Sequence, residues 1–146
     1  MKRTILHLAL LTVLLLLGML CGKSPATPPQ PVMPNITGFW FGEFASASGE
    51  TGFASLDVPT PEHRRFAGTF VFHPPNPVAP PNPCFILGTV SASAEINMIG
   101  RNDEFFLHVH GHVANDLMSL EYMRLFTDGT FETGTAAVSI ETGGGT

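Results

Sequence analysis

The sequence predicts an all-β domain, an eight-stranded antiparallel up-and-down β-barrel, and three observations carry that expectation. Apolar and polar residues alternate with period two in segment after segment from Gly38 to Glu141, with no helical period. Clusters of Gly, Pro, Asn and Asp cut this stretch into eight short segments, most of them joined by tight turns. Each segment has one oily side and no helix is available to cover it. Closing the sheet on itself buries that side and removes the exposed edges at the same time.

Strands are expected over 38–46, 52–58, 65–73, 85–91, 95–100, 104–113, 118–126 and 130–141. The apolar parity assigns the inner face. The first strand turns Trp40 and Phe44 inward, the second Leu56 and Val58, the third Phe66, Phe70 and Phe72, and the fourth Ile86 and Val90. Ile96 and Met98 follow, then Leu107, Val109 and Val113, then Met118, Leu120 and Tyr122, and finally Val138 and Ile140. A slip of one residue would turn the whole set over, so the register is well specified. Phe39, Phe41 and Phe53 are the exceptions on the polar side and form a candidate apolar patch for a protein partner.

Turns are expected at Gly100 to Asp103, at Ala114 to Leu117, and at Asp128-Gly129, a dipeptide suited to a two-residue hairpin loop. The first of these places Glu95 opposite His108, and the second places Glu121 opposite His110. The segment 74–83, with six prolines in ten residues, reads as a semi-rigid polyproline loop at one barrel mouth.

With 146 residues the chain has room for one domain. Seven Lys and Arg face twelve Asp and Glu, a formal charge of −5 with no basic cluster, which argues against nucleic acid or an anionic membrane as partner. Lys2 and Arg3 precede an apolar run, Ile5 to Leu20, that ends at Cys21 and falls short of a bilayer span. Residues 1–22 therefore read as an export signal, 23–37 as a Pro-rich linker, 38–141 as the barrel and 142–146 as a disordered tail. Two outcomes stay open at the leader. Cys21 stands where bacterial lipoproteins carry their acylated cysteine, and Ser24 with Ala26 offers a small-residue pair for ordinary cleavage. Either way the expected location is the periplasm, cell envelope or extracellular space, with membrane contact only through a lipid anchor. Cys84 is left as the one cysteine of the folded part, a buried small hydrophobe or an exposed thiol.

The opening Gly38-Phe39-Trp40-Phe41-Gly42, followed by Phe66-Ala67-Gly68-Thr69-Phe70, Gly88-Thr89-Val90-Ser91 and Gly134-Thr135-Ala136, resembles small exported bacterial β-barrel domains of lipocalin-like or avidin-like shape. The resemblance covers 38–141 and implies an up-and-down barrel without catalytic residues to carry over. Relatives of that kind often pair a cysteine before strand four with one near strand eight; Cys84 fills the first place and the second is missing.

No phosphate loop, nucleophile elbow or kinase signature is present, so no enzyme activity is expected. Tyr122 is the one polar side chain assigned to the oily face, which carries no carboxylate. A non-enzymatic module follows as the first expectation, an envelope scaffold or a carrier holding a small apolar ligand among Trp40, Phe44, Phe70, Met98 and Tyr122. The alternative is a metal-binding protein or metal-dependent enzyme. His108, His110 and His112 project from one side of a strand, and with Glu95 and Glu121 as neighbours His108 and His110 make a candidate exterior site for zinc or another divalent ion. No other cofactor is expected. Expression in a Gram-negative host with labelled fatty acid separates the two leader outcomes: acylation gives a labelled membrane-fraction protein that Cys21→Ser abolishes, whereas unlabelled soluble protein starting near Thr27 rejects it.

Overall fold

The computed structural model describes residues 32–62, 64–75 and 81–141; the leader with Cys21, most of the linker, the middle of the Pro-rich segment and the tail lie outside the described residues. Eight strands, β1 (Gly38–Ser46), β2 (Thr51–Val58), β3 (Arg65–His73), β4 (Asn82–Val90), β5 (Glu95–Arg101), β6 (Phe105–Ala114), β7 (Leu117–Phe126) and β8 (Phe131–Ile140), follow one another as antiparallel neighbours. β8 then pairs with β1, from Trp40 opposite Ile140 to Ser46 opposite Gly134, and the barrel is closed. This is the architecture of lipocalin and avidin barrels.

Alternation decides which side is buried. Trp40, Phe44, Leu56, Phe70, Ile86, Met98, Leu107, Val109, Met118, Leu120 and Val138 all lie inside, each no more than 2% exposed. Glycines on the inner face make room for neighbouring rings. A Cβ at Gly88 would collide with the ring of Phe66, and one at Gly134 would come within 2.5 Å of the Tyr122 hydroxyl. At such positions the missing Cβ is what leaves room for the ring.

Several boundaries differ from the sequence reading. The linker does not run to residue 37: Ile36 is fully buried, its carbonyl accepts a hydrogen bond from Trp40 Nε1 at 3.0 Å, and Met33 packs on the same core. Those residues plug the barrel end where the strands begin and finish. At the other end, β4 starts at Asn82 rather than Phe85, with Pro83 opposite Val71. Proline is tolerated there because it is the second residue of β4, where pairing with β5, which begins at Phe85, has not yet started. Asn102 Nδ2 reaches across to Asn82 Oδ1 at 2.8 Å and ties β4 to the β5–β6 loop.

That loop corrects the largest register error. It lies at Asn102–Glu104, where the Asn102 side-chain oxygen accepts hydrogen bonds from the backbone N–H groups of Glu104 and Phe105, both at 3.0 Å. Gly100 is not the turn but an inward strand residue whose Cβ would strike Phe85 O, Ile86 and the Cys84 sulfur. Glu95 consequently lies opposite His112, and Ile99 lies opposite His108.

Asp128-Gly129 also belongs to a longer loop than expected. Phe126 N–H donates to Thr130 O at 2.8 Å around three residues, with Gly129 at φ 87°. Ser46-Ala47-Ser48-Gly49-Glu50 and Ser91-Ala92-Ser93-Ala94-Glu95 close in the same way, each first serine accepting the glutamate N–H on its hydroxyl. Three-residue hairpin loops end in the left-handed region, which glycine enters freely and alanine does not. Gly49 meets that demand at φ 94°, whereas Ala94 stands there at φ 65°. Two nearly identical turns thus form an internal control. Ala94→Gly should stabilise the barrel and Gly49→Ala destabilise it, each by about 1 kcal/mol in urea unfolding, and equal signs would refute the loop geometry.

Candidate functional site

The five residues expected to line a ligand space are brought together as packing. Trp40, Phe44, Phe70, Met98 and Tyr122 belong to one buried cluster, none more than 3% exposed. Phe72 on β3 meets Tyr122 on β7 at 4.9 Å between ring centroids, and meets Phe44 at 5.2 Å and Phe70 at 5.0 Å. Rings from opposite walls touch, so side chains occupy the lumen at that level.

Above this layer the inner face carries charge, which corrects the reading of a wholly oily interior with Tyr122 as its one polar group. Arg124 is 7% exposed and points inward on β7, directly opposite Glu132 on β8. Its Nη2 donates to Glu132 Oε1 at 2.7 Å and approaches Glu50, from the first hairpin, at 3.6 Å. The guanidinium lies 4.4 Å over the Phe72 ring, with Phe105, Tyr122 and Phe126 between 5.5 and 5.7 Å away. A buried cation requires such company, because desolvation without a counter-charge and π faces would be prohibitive. Arg124 Nε has no hydrogen-bond partner among the described residues. Parity alone could have found this cluster: Arg124 is two residues past Tyr122, and Glu132 two before Gly134.

Tyr122 donates its hydroxyl to Glu132 Oε1 at 3.1 Å. Burial pushes its ionisation well above the ordinary phenol range, and the Glu132 charge adds to the shift. Cys84 is buried, and desolvation raises its thiol to about 11, so it packs as a small hydrophobe.

The exterior histidines are arranged differently from the expected site. His110 Nε2 lies 3.5 Å from Glu121 Oε2, as the β6–β7 turn predicted. His108 and His110 stack with centroids 6.4 Å apart. Glu95, however, faces His112 and leaves His108 beside Ile99 and Met123. Among the described residues no three His, Cys, Asp or Glu side chains are grouped to hold a metal ion.

Phe39, Phe41 and Phe53 do form an exterior cluster, with Phe41 stacked on Phe53 at 5.3 Å and on Phe39 at 6.5 Å. A larger apolar surface went unnoticed in the sequence. One row of outward positions across β4 to β8 reads Phe85, Arg101, Phe106, Leu125, Phe131; the next reads Leu87, Ile99, His108, Met123, Thr133. The seven large apolar residues in these rows are 37 to 71% exposed. The following row, Thr89, Asn97, His110, Glu121, Thr135, is polar throughout. The rows were hidden because each strand contributes only one or two such residues; the register is what aligns them.

Compared with protein-family models and with curated proteins, the chain matches none.

The Tyr122 environment makes a pH prediction with a definite sign. The unfolded phenol ionises near 10 and the folded one higher, so stability is intact below pH 10 and falls as pH rises beyond it. Tyr122 is the sole tyrosine, so phenolate absorbance should appear together with loss of β circular dichroism. A phenol titrating near 10 in an intact barrel would contradict the buried placement.

Proposed function

We propose that this chain is an exported, non-enzymatic β-barrel module that serves as an envelope scaffold, working through protein contacts on its outer wall rather than through a ligand held inside. The contact between Phe72 and Tyr122 across the lumen carries this reading, because rings from opposite walls occupy the lumen at that level, where a small apolar ligand would otherwise sit. Glu132, the carboxylate inside the barrel, is engaged by Arg124 and Tyr122 and so is poorly placed for acid or base work on a substrate. The inward pair of Arg124 and Glu132 thus supports a structural role, while the large exposed side chains support an interaction role. The apolar leader followed by a Pro-rich segment supports export.

Native mass spectrometry of the purified protein tests the reading directly. The expected spectrum contains the polypeptide without a retained small molecule, before and after gentle collisional activation. A lipid-like mass released stoichiometrically on activation would overturn it in favour of a carrier.

A further inference from the structure

Resting on the scaffold reading, we infer that the two apolar rows across β4 to β8 form a self-association surface whose partner is a second copy of this chain. The ten positions are three Phe, two Leu, an Ile, a Met, an Arg, a His and a Thr. Interface cores are enriched in aromatic residues, Met and Arg and depleted in Lys, Glu, Asp, Ser and Ala. None of the depleted types occurs in either row. On a chain with twelve carboxylates and a net charge of −5, this is a face where two copies can approach without acid meeting acid.

Size and shape agree. Seven side chains at these exposures present roughly 700 Å² of mostly apolar surface, above the largest patch of a typical monomer. A stable complex needs about 800 Å² per partner, which Arg101, His108 and Thr133 complete. Strands in an eight-stranded barrel tilt by about 40°, so a row perpendicular to them climbs the wall as it circles and spans only about a third of the circumference. The patch is therefore one face, open to a facing copy. Closure of the barrel leaves no strand edge to extend, so association takes place face to face, and a twofold axis through the patch satisfies both copies with the same residues.

Sedimentation equilibrium of the full purified protein at micromolar concentrations tests this. The expected species is a dimer, and Phe106→Glu, whose side chain is 42% exposed, should raise the dissociation constant about 100-fold without altering circular dichroism. Arg101→Glu, which changes a solvent-reaching side chain in the same row, should weaken it as well, and Phe53→Glu on the separate aromatic cluster should not. A wild-type monomer overturns the proposal, as does a dimer that Phe53→Glu breaks and Phe106→Glu spares. A monomer that co-sediments with phosphatidylcholine vesicles through Phe106 assigns the face to a lipid surface instead and also overturns it. These failures are distinct from failure of the scaffold reading, which a molecule retained in the lumen would refute whatever the oligomeric state.

Discussion

Pairing of the last strand with the first is the constraint on which the rest of the interior depends. Once Ile140 faces Trp40 and Gly134 faces Ser46, eight strands enclose a narrow lumen, and where side chains meet across it large residues must be matched by small ones. β3 brings Phe66, Phe70 and Phe72, whereas β8 brings Gly134, Ala136 and Val138. The phenylalanine at 66 has its space because position 88 lacks a Cβ, and the Tyr122 ring has its space because position 134 lacks one. Glycine in a strand interior ordinarily weakens it; here the lost β propensity is offset by the ring that moves in.

The two barrel ends are closed by opposite chemistry. Residues preceding β1 fold back at one end, where buried Ile36 caps the core and its carbonyl satisfies the Trp40 indole. At the other end a guanidinium closes the mouth, boxed by four aromatic rings and neutralised by Glu132. An apolar plug would stabilise as much or more, since buried ion pairs repay little of their desolvation. What the pair contributes is specificity of register. Arg124 and Glu132 are direct cross-strand partners, so a slip of β8 along β7 would leave a cation unpaired among phenylalanines.

The fold was legible because its determinant is parity, and parity is local. Every inward residue assigned from Trp40 through Val138 has its place inside, and the strand boundaries agree to within a few residues. Turn position was less legible where two physical roles compete for one residue type. Gly100 has the composition of a turn and serves instead for close approach to Cys84 and Ile86, while Asn102 makes the turn with its side chain. That single misplacement moved Glu95 from His108 to His112 and with it half of the expected metal site. His110 with Glu121 was placed correctly because Asn115, at φ 55°, suits the two-residue turn its position suggested. The charged cluster at 124 and 132 was available to the same parity rule; the oily majority on those strands masked it.

The outer wall is a different kind of information, since folding does not dictate it. A strand position facing water is well served by threonine, which has the β-branched shape the sheet favours, and Thr89, Thr133 and Thr135 show this chain using it. Phe85, Leu87, Ile99, Phe106 and Leu125 at equivalent positions add nothing to the lumen and leave apolar surface in water. Their alignment in two adjacent rows, followed at once by a row without a single large apolar residue, separates one face of the cylinder from another. A sheet under selection for burial alone has no reason to distinguish its outward rows. On the scaffold reading proposed above, that division belongs to what the barrel meets, with rings from opposite walls in contact inside and the large apolar side chains gathered outside.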